Sequence, residues 1–494
     1  MWSALRRRGG VGTADGRQRE SERLRIPQPL IKRRLPSGRG ATEQPNVTSD
    51  GDTALTPAFW IAVVLTGIAA GLFGVLLMVI LFNVEHLTFG YSTGSLESGV
   101  RHVSDLRRVV PLLIAGVVGG TAWYLLRRYT PGQKSEIDEA IWNDDGRLSF
   151  GRSFGTGVIS ELVIGMGASI GREAAPKLMG GVSASLLSDR FHLSPAQRRL
   201  LVACGGGAGL AAVYNVPLGG ALFTAEVLVG SMALPVVLPA LACAGIATAV
   251  AWIYLPDHAT YVAIPEFRFT APLMVWSLLA GPVLGLIAAG YIRLIGWVSF
   301  YRITGRWSIP VMVAAFGILG LIGIEYPQLF GNGKDMAHDA FTGLYGFGIL
   351  FALFLLKPLV TSLCLGSGAS GGLFTPTMST GAVFGGAFGV AWSLIWPGSP
   401  SGAYAMVGAA AFLGAAMQAP LASLALVLEL THSGFGLMVP MLAATVTGTI
   451  IARHIDGYSI YSARLPPRKG GPPRHHNPPG SPPGQDHADA LDTA

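Results

Sequence analysis

The sequence predicts an all-α polytopic membrane protein, and three observations carry that expectation. The 494 residues are 50% hydrophobic and only 13% charged, with a mean hydropathy of +0.48. Soluble domains carry roughly 25% charged residues. Long stretches hold no Asp, Glu, Lys or Arg at all: 56–82, 109–126, 200–225, 227–256, 269–292, 358–428 and 431–452. A helix crosses a bilayer in ~20 apolar residues, so several spans fit. Glycine reaches 67 residues, which in lipid lets helices approach closely.

Taken in chain order, residues 1–54 hold eleven Lys/Arg and six Asp/Glu among many Pro and Gly, and read as a disordered basic tail. No apolar stretch precedes Leu55, which excludes a secretory leader there, and the arginines place this end in the cytoplasm. Nucleic acid is not expected as a partner; anionic lipid suits such a tail better. A first membrane segment follows over 55–257 and a second over 258–465. Residues 466–494 are a second Pro/Gly-rich tail, which puts both termini in the cytoplasm. Cys204, Cys243 and Cys364 all lie in apolar runs without metal-ligand spacing, so buried thiols are expected, with no metal and no cofactor.

The two membrane segments repeat. A shift of 203 superposes Leu210 on Leu413, Ala212 on Ala415, Pro217 on Pro420, Leu218 on Leu421 and Glu226 on Glu429. A shift of 201 places Gly165, Gly167 and Gly171 on Gly366, Gly368 and Gly372. Repeated halves with Gly/Pro-interrupted segments point to broken helices that meet at a transport site. The stretches 165–182 and 366–384 each have a glycine-rich lead and a proline early in a helix. Two helix N-termini facing one another would hold an anion on free N–H groups without a full positive charge. That permits binding weak enough for release. A charged pair, Arg172–Glu173, lies inside this apolar region and is a functional candidate by its cost alone. A carboxylate at a helix N-terminus competes with an anion for the same amides, so Glu173 serves as a gate that opens on protonation. No histidine lies in either loop, which disfavours an enzyme using Glu173 as an acid or base.

These residues resemble the CLC family of chloride channels and proton-coupled chloride transporters, over about 55–465. The family's GREGP motif is matched by Gly171-Arg172-Glu173-Ala174-Ala175-Pro176, and its GxFxP motif by Gly372-Leu373-Phe374-Thr375-Pro376. Its anion-coordinating tyrosine is matched by Tyr461, and its FNAPxxGxLFxxEE segment by YNVPLGGALFTAEV, 214–227. The resemblance implies a CLC-type fold of two inverted-topology halves, in a homodimer with a pore in each subunit. It implies Glu173 as the gating glutamate. It implies anion binding by Gly171, Arg172, Gly372, Leu373, Phe374 and Tyr461, and by Gly132, where the family's GSGIPE serine falls. Gln133 or Ser135 are the alternatives at that place. Lys134 and Lys177 are possible pore charges, with ion pairing the other reading of each. The family's internal proton glutamate falls on Val227, a departure shared with channel members. The expected function is therefore a voltage- or pH-gated chloride channel of the plasma or inner membrane. A proton/chloride antiporter, or a fluoride- or nitrate-preferring variant, is the alternative.

Overall fold

Among the described residues every regular element is helical, apart from one isolated antiparallel bridge between Gly171 and Gly372. The computed structural model describes residues 55–133, 136–143 and 145–465. Both expected tails, and Lys134 and Ser135, lie outside the described residues.

Helix α1 (Pro57–Phe89) opens on a Thr56 hydroxyl that accepts from Phe59 N, with Pro57 in the first turn where no amide is needed. A short α2 (Leu96–His102) and the span α3 (Asp105–Tyr129) follow, then α4 (Ile137–Asn143) and α5 (Phe150–Gly165). The first half's centre is α6 (Ala174–Arg190), α7 (Pro195–Tyr214) and α8 (Pro217–Leu222, continued as a π-helical turn over Phe223–Val229). Helix α9 (Leu234–Ala251) closes it. The second half runs through α10 (Ala271–Phe300), α11 (Ser308–Glu325), α12 (Lys334–Thr342) and α13 (Phe347–Gly366). It ends with α14 (Phe374–Ser393), α15 (Ser401–Met417), α16 (Pro420–Thr431) and α17 (Met438–Ile455). Seven helices among the described residues are long and apolar enough to cross a membrane. Their outward faces carry exposed Leu, Ile and Val, as lipid contact requires.

The repeat is written into the backbone. Asn215 and Gln418, 203 apart, both adopt the left-handed conformation (φ 57° and 58°) between a long helix and a Pro-started one. Gly167 and Gly368, 201 apart, have φ of 108° and 98°, a region that favours glycine. Helices α6 and α14 both begin after the bridged glycines and both carry Pro as their third residue, Pro176 and Pro376. The chain folds into two such halves of inverted topology. Glu226, on α8, accepts from Ala422 N at 2.7 Å and Leu421 N at 3.3 Å, at the start of α16. Glu429, on α16, accepts from Leu218 N and Gly219 N at the start of α8. Each half thus caps a helix of the other.

Glycines set the helix spacing in the middle. A Cβ on Gly180 or Gly205 would strike the backbone of the other, fixing α6 against α7. Gly381 and Gly408 repeat the arrangement between α14 and α15. The core helices α7 and α15 are buried along their whole circumference. All three cysteines are buried and unbridged.

Candidate functional site

The two glycine-rich loops meet. Gly171 N donates to Gly372 O at 2.9 Å, and Gly372 N to Gly171 O at 2.7 Å. This exchange pins the starts of α6 and α14 side by side. Glu173 is the residue before α6, yet its side chain caps no amide of its own helix. Its Oε1 instead accepts from Phe374 N, the first residue of α14, at 2.7 Å. Tyr214 Oη lies 3.3 Å and Thr375 Oγ1 3.4 Å from Oε2. Glu173 is buried, at 4% exposure, and its carboxylate occupies the N-terminus of the opposite half's helix as a bound anion would. A Cβ on Gly171 or Gly372 would meet this carboxylate, so a side chain at either position would displace it.

A cavity opens beside Glu173, lined by Lys177, Leu373, Phe374, Tyr461 and Arg464. Gly372, Leu210 and Phe223 complete its wall. Tyr461 stands edge-on to Phe223, with ring centroids 5.7 Å apart. The nearest acceptor for its hydroxyl is the Met417 sulfur at 3.9 Å, a weak one. That hydroxyl is therefore ready to donate elsewhere. Lys177 lies one turn after Glu173, so both side chains share a face of α6. Its Nζ is 3.3 Å from Asp138 Oδ2 on α4.

The structure brings Glu173, Gly372, Leu373, Phe374, Tyr461 and Lys177 to one place, and Gly171 lies directly beneath the Glu173 carboxylate. Two expected anion contacts are not brought there. Gly132 is exposed, with φ of 72° and open space where a Cβ would point, in the turn that follows α3. That turn, residues 131–133, does not line the cavity. Arg172 is buried but points away from the cavity, with its guanidinium 5.0 Å from the Tyr214 ring centre and 5.7 Å from that of Phe82. The two rings face the cation, while its buried Nε has no hydrogen-bond partner among the described residues. Val227 is buried within the π-helical turn of α8 and offers no proton-carrying group.

Four residues escaped the sequence reading. Tyr214 stands where the resembling segment has Phe, and its hydroxyl contacts Glu173 and, at 2.6 Å, Thr375 Oγ1. Arg464 lines the cavity from the segment after Tyr461. Lys357, in the middle of apolar α13, is fully buried and donates to Ser169 Oγ at 2.8 Å and Gly331 O at 2.9 Å. It ties the loop before Glu173 to the second half. Glu161 is fully buried on α5, both oxygens lacking a hydrogen-bond partner among the described residues. Lys357 and Glu161 are visible as charges inside apolar helices, a signal of function in lipid. The Tyr214 hydroxyl and Arg464 give no such signal.

A polytopic helical protein with two inverted halves, and an acidic side chain seated on a helix terminus between them, has the architecture of an anion-translocating membrane protein. The family model described as "Voltage gated chloride channel" matches residues 113–453. The chain is 30% identical over 393 residues to the "Voltage-gated ClC-type chloride channel ClcB" of Escherichia coli O9:H4 (strain HS), covering 76% of this chain and 91% of that one. It is 32% identical over 315 residues to the "H(+)/Cl(-) exchange transporter ClcA" of Yersinia pestis bv. Antiqua (strain Angola), covering 61% and 65%. Among solved structures, a slow cyanobacterial Cl−/H+ antiporter superposes with a TM-score of 0.72 at 23% identity, covering 83% of this chain and 97% of that one. A CLC-type fluoride/proton antiporter gives 0.65 at 20%, covering 82% and 97%. The chain belongs to the CLC family and is an integral membrane protein of that fold.

Proposed function

We propose that the protein exchanges protons for a small anion, chloride first, across its membrane, with Glu173 as the shared gate. The observation that carries this reading is the Glu173 carboxylate on the Phe374 amide. Anion and ionised carboxylate are exclusive occupants of that terminus. The carboxylate leaves when it takes a proton, so anion entry and proton uptake are linked at one group. Val227 favours a simple channel. The 32% identical relative named as an H(+)/Cl(−) exchanger weighs the other way. Protons on the Val227 side then reach Glu173 through water in the anion approach, without a carboxyl at 227. The anion is held by the Phe374 amide and the Tyr461 hydroxyl. Both termini lie in the cytoplasm, and the working unit is a homodimer with one pathway per subunit.

Purified protein in liposomes tests this. With a chloride gradient as the only driving force, uphill proton movement is the expected result. Chloride efflux with valinomycin and potassium but without proton movement would establish a channel instead. An absence of chloride flux would transfer the experiment to fluoride and nitrate. Glu173→Gln is expected to abolish proton movement while leaving anion flux that no longer responds to pH.

A further inference from the structure

We infer that Lys177 is the anion-selecting cation of the central cavity, held and offset by Asp138, in the role that no hydroxyl from the 131–133 turn can fill. The inference rests on the anion-site reading above but not on proton coupling. Three observations support it.

Lys177 lines the same cavity as Glu173, Phe374 and Tyr461. Its Nζ sits 4.6 Å from the Tyr461 ring centre and 5.6 Å from that of Phe223, over the two aromatic rings of the cavity wall. An ammonium has three donors. The only hydrogen bond it makes among the described residues is to Asp138 Oδ2, at 3.3 Å, which leaves donors for an occupant. The described part of the Gly132 turn, residues 131–133, is exposed and supplies no contact to the cavity.

A lone buried lysine would trap an anion too tightly for turnover. Asp138 prevents this. The two side chains are only 11% and 14% exposed, and Asp138 Oδ1 has no partner among the described residues, so the carboxylate is committed to the lysine. The charges that bear on Lys177 are Asp138 from α4, Glu173 from its own helix, Glu136 just ahead of α4, itself paired with Arg302, and Arg464, partly exposed, on the cavity wall. With Glu173 displaced, the bound anion takes the place of its charge. The compact, strongly hydrated ammonium favours small hard anions over large soft ones such as thiocyanate.

The test is chloride binding to the purified full-length protein by titration calorimetry at one fixed pH. Lys177→Met is expected to weaken chloride about 10-fold or more, the worth of a charge-assisted hydrogen bond. Asp138→Asn is expected to tighten chloride and slow its flux in liposomes. Opposite signs are the signature. A merely structural ion pair would give both variants the same loss of thermal stability and an unchanged chloride affinity, which would overturn the inference. If Lys177→Met fails to fold, the single variant Lys177→Gln replaces it. Weakened chloride with a folded protein supports the inference, and wild-type affinity in that variant sinks it. No chloride binding in the wild type would sink the anion-site reading itself.

Discussion

At the scale of single residues the proposed gate is a competition for amides. Glu173 has three donors in reach, and the shortest contact is the Phe374 N–H. Tyr214 contributes a hydroxyl that also meets Thr375 and receives Asn332 Nδ2 at 3.3 Å. Tyr214→Phe removes that hydroxyl and keeps the ring edge-on to Phe374. A net hydrogen bond contributes ~1 kcal/mol, so the seated carboxylate should be about 5-fold less favoured. Chloride efflux from liposomes at pH 7.5 should rise accordingly. Unchanged efflux would assign the hydroxyl to Thr375 alone. The residues that compete for the anion were legible because their spacing to Gly and Pro is dictated by helix termini. Tyr214 was not, since a tyrosine in an apolar run signals only bulk until its hydroxyl has neighbours. Motif position alone puts Gly132 at the anion, while residues 131–133 are exposed and do not line the cavity.

At the scale of elements, the repeat was legible through Pro217/Pro420 and Glu226/Glu429, which superpose at one shift. What the alignment could not say is that each glutamate caps the other half's helix rather than its own. That reciprocity explains why Glu226 persists beside Val227. It is engaged by the Leu421 and Ala422 amides and takes no part in the cavity. Glu226→Ala and Glu429→Ala should therefore behave alike. Each should lower thermal stability by about 1 kcal/mol, the usual worth of a helix cap. The proton-to-anion ratio in liposomes should not move. Loss of coupling in Glu226→Ala alone would assign Glu226 to the proton path and break the symmetry between the two caps.

At the scale of the whole molecule, the apolar spans announced themselves, but the buried polar ties between them did not, because each tie joins residues far apart in sequence. One tie lies outside the long spans. Glu97 on α2 receives Arg101 Nη2 at 2.6 Å, while its backbone N–H donates to Asp335 Oδ2 on α12 at 2.8 Å. The Tyr345 hydroxyl lies 2.7 Å from Glu97 Oε1 and 2.8 Å from Asp339 Oδ2. A hydroxyl has one proton and donates to one carboxylate, so the second close contact needs a proton on a carboxyl. Burial supplies the reason. It pushes the Glu97 carboxyl up to about 7, outweighing the Tyr345 and Arg101 contacts that act the other way. The folded pKa lies above the ordinary value of 4.5, so the contribution to stability is complete below that value. It is lost as pH rises through about 7. The size is on the order of 3 kcal/mol, from ~1.4 kcal/mol for each tenfold gain in proton affinity on folding. The docking of Leu96–His102 against the 334–345 segment should loosen over that window. Amide exchange of this helix, corrected for the intrinsic rate, should accelerate as pH rises from 4.5 to about 7 and level off above that. Glu97→Gln, which mimics the protonated acid, should hold it flat. Identical profiles in the two proteins would mean that Glu97 stays ionised throughout and that Arg101 alone balances it.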